Sequence, residues 1–239
     1  MLIAILVVLW QLVCDCQIIP NYMLPSPSKI AVNFMTDLNF YVQNAGITLY
    51  ETAWGLVIGI VVGFALSCLM ERLEWVKCAL LPILSITQTI PIIAIAPILV
   101  MFLGLGMLPK IVLVALVTFF PISITTLGGL LSAPKETIDM SYSCGAGHLR
   151  TLFCVKLPSA ANSIFSALKV SVTYAFSAAV ISEWLGGSGG IGVMMTRYKK
   201  SFDYTSMFSC VLVIIIVTLI LIMIVNITER LVCKWHHVE

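Results

Sequence analysis

Side chains able to do chemistry are sparse in this chain and fall at a few places. Glu51, Lys169 and Glu183 stand in or beside long apolar runs. A charged group at the centre of a membrane helix costs about 2.5–3.5 kcal/mol for Asp, Lys or Arg, so an ionisable residue there is read as functional by default. Gly187-Ser188-Gly189-Gly190-Ile191-Gly192 has GxGxxG spacing, the pattern that lets a backbone approach a pyrophosphate. That chemistry needs a strand before the glycines, and here an apolar run of helix length precedes them. The motif therefore reads as a turn entering a helix. No GxxxxGK[ST] occurs, so the chain has no P-loop of its own. Cys233, His236 and His237 could ligate a metal, but no fourth ligand stands near them. The 8 cysteines include no CxxC pair, and several lie in apolar runs, where the thiol acts as a small hydrophobe. No Ser/His/Asp triad, carboxylate dyad or activated cysteine is visible. The expectation is no catalytic residue, no metal site and no cofactor bound by this chain.

The elements that must position these groups follow from composition. Of 239 residues, 60% are hydrophobic and 10% charged, and mean hydropathy is +1.08. Soluble domains carry about 25% charged residues. So few charges could not cover a globular surface, which makes this an all-α integral membrane protein in a lipid bilayer. A net charge of +2 without a Lys/Arg block excludes a phosphate-tracking groove, so no nucleic acid is expected.

Spanning a bilayer takes about 20 mostly apolar residues. About six segments reach or approach that length: 1–16, 46–70, 76–103, 108–131, 160–185 and 206–228. The first lacks a basic n-region and a small-residue cleavage site, so it reads as a short membrane helix leaving the lipid at Asp15 and Gln17. After the LPSPSK turn, Ile30, Phe34, Leu38 and Tyr41 have a helical period suited to lying along the interface. The chain thus divides into 1–43, a first helix with an extracytoplasmic linker; 44–229, the helical core with a loop at 134–158; and a tail, 230–239. With six helices, Arg72, Lys77, Lys135, Arg150, Lys156, Arg230 and Lys234 share the side of both termini. Lys29, Lys110, Arg197, Lys199 and Lys200 lie opposite. The bias favours cytoplasmic termini. Trp75 and Trp235 then mark the inner interface, Trp184 and Tyr198 the outer.

Pro82, Pro91 and Pro97 interrupt the third segment, beside the polar Thr87, Gln88 and Thr89. Freed backbone groups at membrane depth must be buried in protein or line a watery cavity. This segment, with Lys169 and Glu183, is therefore the candidate translocation path; the alternative is kinks that merely shape the bundle. Gly55, Gly59 and Gly63 form two GxxxG steps, suited to close packing of helices, whether static or sliding.

The loop Asp139–Pro158 interrupts the apolar pattern most clearly. A helix can run from Pro134 to Ser143, Gly145 and Gly147 break it, and Leu149, Leu152 and Phe153 resume helical spacing. Two short helices hinged at glycine would form a knob on the cytoplasmic surface; a re-entrant hairpin or a plain loop is the alternative. Asp139-Met140-Ser141, then Gly145, then nine residues to Val155-Lys156-Leu157-Pro158, resembles the EAA motif of ABC importer permeases. Met140 departs most, being larger than the alanine of the pattern. LPSPSKI (24–30), TIPIIAIAPILVMFLGLG (89–106), FFP (119–121) and EWLGGSGGIGVMM (183–195) resemble the nitrate/sulfonate/taurine-type members.

The resemblance implies a type I ABC importer transmembrane domain in a bacterial plasma (inner) membrane. It implies a coupling loop in which Asp139, Met140, Ser141, Gly145, Ala146, Leu157 and Pro158 dock on an ABC ATP-binding subunit. Two copies of that subunit would carry ATP and Mg, beside an extracytoplasmic solute-binding protein and a second permease copy in a homodimer. The implied substrate is a small solute. EWLGG and GVMMTRYKKSF (192–202) look most like members linked to hydroxymethylpyrimidine, a thiamine precursor; otherwise a sulfonate, taurine or nitrate is implied. The rival is a self-contained channel or an intramembrane enzyme. It needs a ring of charge or paired catalytic residues, and the sequence offers neither.

Overall fold

The computed structural model describes residues 2–16 and 24–233, and every ordered element among them is helical. Gln17, and Lys234, Trp235, His236 and His237 of the tail, lie outside the described residues.

α1 (Leu2–Asp15) is followed by α2 (Pro27–Thr36), with proline in its first turn, where a missing N–H has no partner to lose. α3 (Leu38–Arg72) is a single helix of 35 residues. α4 (Glu74–Thr87) and α5 (Ile92–Leu103) form one broken segment, bent by 101°. α6 (Met107–Leu131), α7 (Lys135–Ser143) and the four-residue α8 (His148–Thr151) follow. A π-helical turn, Leu152–Lys156, leads directly into α9 (Leu157–Glu183). α10 (Ile191–Lys200) and α11 (Tyr204–Val232) complete the order.

The membrane reading holds, but the count differs from six. Among the described residues, 4 helices are long and apolar enough to cross a bilayer: 38–72, 107–131, 148–183 and 204–232. Counting the bent pair as one span makes 5. The expected first segment is not among these: the described α1, at 14 residues, is about 21 Å long against a hydrocarbon core of about 30 Å. The helix expected along the interface over 30–41 is instead two pieces folded into the bundle. Ile30 and Tyr41 are buried, and the Tyr41 hydroxyl donates to Asn33 Oδ1 at 2.8 Å. Phe34 and Tyr41 of the apolar period read there face α10 and α11, where Tyr41 packs with Ile191, Met194, Cys210 and Val213, while Leu38 is exposed.

Glycine contacts fix the direction of the long helices. A Cβ on Gly55 would stand 2.5 Å from Val114 Cβ, one on Gly59 would overlap Thr118, and one on Gly63 would stand 3.0 Å from Ile122. Both series ascend in steps of four, so α3 and α6 run parallel, with backbones in close approach. The bent α4–α5 segment must therefore return the chain across the bundle. Gly129 meets Ser163 and Ala160, while Ser171 donates to the Thr118 carbonyl at 3.4 Å, so α6 and α9 run antiparallel. One end of the bundle thus gathers Glu71, Leu130 and the 134–158 hairpin. The other gathers Asn44, Lys110, Glu183 and α10.

Candidate functional site

Three arrangements stand out, one at each end of the bundle and one beside the bend. The first is the hairpin. α7 ends at Cys144, whose N–H reaches the Met140 carbonyl at 3.0 Å, and Gly145 follows with φ +79°. This left-handed conformation suits glycine because a Cβ is resisted there. The Ala146 N–H then bonds the Ser141 carbonyl at 3.1 Å, which closes the turn, and Ser141 Oγ lies 3.0 Å from Thr151 Oγ1 across the two arms. The second arm is not a short helix, as the sequence suggested. It runs unbroken through the π turn into α9, making one helix from His148 to Glu183. The wide turn has a local cause: Pro158 offers no N–H to the Cys154 carbonyl and its ring presses on it. Pro134 stands just outside α7 as its N-cap. α7 has no buried residue, and Met140, Tyr142, Leu149 and Phe153 are exposed apolar groups on the hairpin. Asp139, Gly145 and Ala146 lie on the same hairpin, and Leu157 and Pro158 at its root.

The second is a cavity of about 420 Å³ beside the 101° bend, lined by Thr87, Gln88, Thr89, Pro91, Phe120 and Tyr174 among others. α4 stops at Thr87, and Pro91 is the N-cap of α5 in extended conformation, which makes the break. Pro82 and Pro97 lie inside helices without breaking them. Thr87 and Thr89 turn their hydroxyl protons onto the Ile83 and Ile86 carbonyls at 2.7 Å, leaving oxygen lone pairs as acceptors. No lining residue is charged. Of the sequence candidates, Thr87, Gln88, Thr89 and Pro91 come together here, while Pro97, Lys169 and Glu183 do not. Lys169 Nζ instead pairs with Glu229 Oε2 of α11 at 2.6 Å.

The third is a buried charge cluster at the end opposite the hairpin. Lys110 Nζ donates to Glu51 Oε1 at 2.8 Å, with both side chains at most 5% exposed. Glu183 is also buried, but it serves α10. Its Oε2 accepts from the Gly192 N–H at 2.6 Å and its Oε1 from Thr48 Oγ1 at 2.8 Å. Thr48 Oγ1 accepts from the Ile191 N–H at 3.0 Å, and Asn44 Oδ1 from the Gly190 N–H at 3.1 Å. The unpaired N–H groups at the start of α10 are thus satisfied by α3 and α9. A helix N-terminus attracts anions, and the GxGxxG turn here holds the chain's own carboxylate in place of a phosphate. Gly190, at φ +114°, packs its backbone directly on that carboxylate.

Sequence reasoning missed Lys110, Asn44 and Thr48 as partners, because each pairs across at least 59 residues. The predicted packing glycines 55, 59 and 63 all face α6. Among the described residues no group of three potential metal ligands occurs.

Comparison with known proteins matches residues 55–234 to the family described as "Binding-protein-dependent transport system inner membrane component". A "Probable ABC transporter permease protein" of Haemophilus influenzae is 33% identical over 221 residues, covering 92% of this chain and 90% of that protein. The "Formylaminopyrimidine transport permease protein ThiX" of Halalkalibacterium halodurans is 31% identical over 232 residues, covering 96% and 92%. Among solved structures, an inward-facing methionine ABC transporter, MetNI, superposes with TM-score 0.73 at 20% identity. It covers 82% of this chain and 97% of that one, a likeness of fold.

Proposed function

The chain belongs to the family of binding-protein-dependent transport system inner membrane components, and from that premise we propose a substrate, a path and a docking surface for it. Membership makes it the permease subunit of a type I ABC importer, a transport protein rather than an enzyme, embedded in the inner membrane. It works with an ATP-binding subunit and a binding protein. The hairpin is the docking surface for the ATP-binding subunit. The observation that carries this is the glycine turn at Gly145 in the EAA register, which joins an arm with no buried residue to a second arm, the two exposing Met140, Tyr142, Leu149 and Phe153. Two such subunits, each holding ATP and Mg, on a homodimer of this chain would bring two hairpins to one face. That face and the end of α11 are cytoplasmic on the Lys/Arg distribution.

The cavity beside the bend is the translocation path in this proposal. Its size falls in the range of small-molecule sites, about 300–1,000 Å³. The Gln88 amide and Tyr174 hydroxyl supply polar tips, Phe120 and Tyr174 supply ring faces, and no cation lines it. A sulfonate or nitrate would enter such a cavity without a countercharge, which is costly. A neutral heteroaromatic ring would not. This favours a pyrimidine of the hydroxymethylpyrimidine kind over sulfonate, taurine or nitrate, in keeping with the formylaminopyrimidine named for one relative.

The test is uptake by proteoliposomes holding this chain, its ATP-binding subunit and its binding protein. ATP-dependent accumulation of labelled hydroxymethylpyrimidine, reduced in Gln88→Ala and Tyr174→Ala variants that keep the ATP-binding subunit, is expected. Uptake of taurine or nitrate instead would overturn the substrate reading.

A further inference from the structure

Glu71 is a carboxylate that no feature of the sequence singles out. It stands in the last turn of α3, with its side chain 2% exposed. A helix C-terminus carries partial negative charge, so its own helix repels a carboxylate there. Burial adds a desolvation cost. The Lys156 ammonium offsets both effects, and a histidine stands beside the same carboxylate; both residues come from the hairpin. Lys156 Nζ donates to Glu71 Oε1, and His148 Nε2 lies 3.3 Å from Oε2.

These two residues bracket the hairpin's second arm: His148 opens α8 and Lys156 closes the π turn. Among the described residues they make the only side-chain polar ties from the hairpin to α3 or α6. The remaining attachment is apolar: Leu152 packs with Leu130 and Ala160, beside Cys68 and Leu157. Apolar packing is non-directional, so this seat alone would let α3 slip against the arm. The Lys156–Glu71 ion pair, with His148 beside the same carboxylate, holds α3 and the arm in register.

We propose that Glu71 is a positioning residue of the transport cycle, the point at which α3 is made to follow the coupling hairpin. This rests on the reading of the chain as an ATP-driven permease. α3 packs tightly and in parallel on α6 through Gly55, Gly59 and Gly63, and it carries Glu51 and Thr48 to the opposite end. A displacement delivered at Glu71 therefore arrives there as movement of a 35-residue rigid helix.

The experiment compares wild type, E71Q and the charge swap E71K/K156E. Each is purified with the co-expressed ATP-binding subunit and reconstituted with the binding protein, and transport and ATP hydrolysis are measured together. E71Q is expected to keep the ATP-binding subunit and its hydrolysis while solute moved per ATP falls on the order of tenfold, within the usual range for coupled sites. The swap should recover most of that ratio. His148→Gln, at a side chain about one-third exposed, carries the same test if E71Q does not accumulate, with a smaller fall in the same ratio. An unchanged ratio in E71Q overturns the proposal. So does loss of the ATP-binding subunit, which would make Glu71 a support of the docking surface only, or a swap no better than E71Q. If the wild-type complex couples no hydrolysis to transport, the permease reading itself fails.

Discussion

Replacing Lys110 by methionine should cost far more than replacing Lys110 and Glu51 together. The pair lies 2.8 Å apart with side chains 5% and 1% exposed. At an effective dielectric of about 20, that separation gives a gross attraction of about 6 kcal/mol, and desolvating two ions offsets most of it. Lys110→Met keeps the desolvated Glu51 carboxylate and removes its counterion, so a loss of about 3–5 kcal/mol is expected. Its second oxygen, Oε2, already has no hydrogen-bond partner. Glu51→Leu with Lys110→Met removes both charges, and its stability should fall within about 1 kcal/mol of wild type, as for other buried pairs replaced by apolar groups. The assay is SDS-induced unfolding in mixed micelles followed by tryptophan fluorescence, run as a double-mutant cycle. A Lys110→Met protein as stable as wild type would refute the reasoning. So would a double variant as unstable as the single.

Other sites give sharper yes-or-no outcomes. Gly59→Leu should separate α3 from α6 and lower the thermal midpoint strongly, whereas Gly46→Ala, where an added Cβ meets nothing within 4 Å, should not; similar midpoints for the two would contradict the packing. Glu183→Ala should free the start of α10, read as faster amide exchange at Ile191 and Gly192, while Glu183→Gln should retain part of the protection through its amide oxygen. Gly145→Ala should cost about 1–2 kcal/mol locally from the left-handed backbone, and Gly145→Arg should block partner docking without unfolding the bundle, as circular dichroism and pull-down together would report.

Much of the architecture is local and so was legible. Apolar runs mark the long helices, and Thr87 to Pro91 mark a break because proline restricts the residue before it and cannot continue a ladder. Gly145 and the Leu157-Pro158 step mark the hairpin for the same kind of reason. Pro82 and Pro97 look alike in sequence yet sit inside helices, so proline alone does not say where a chain bends. The ionic groups were legible as unusual, but their work was not. Glu183 and Lys169 appeared as path candidates, and each is committed to a neighbour, the start of α10 and Glu229 respectively. Glu71 lies 85 residues from Lys156, and nothing in the local pattern of either announces the other. Such pairings come into being only once parallel and antiparallel packing has set which helix ends meet.

The most direct test of the account is purification of the tagged chain in mild detergent, beside its Gly145→Arg variant, with mass spectrometry of everything retained. The account predicts that the wild-type chain brings down an ATP-binding subunit, that the variant of equal fold does not, and that a binding protein joins when its solute is present. A wild-type chain that purifies without any ATP-binding subunit, or a variant that retains it as well as wild type does, would contradict the assignment of the hairpin as the coupling surface.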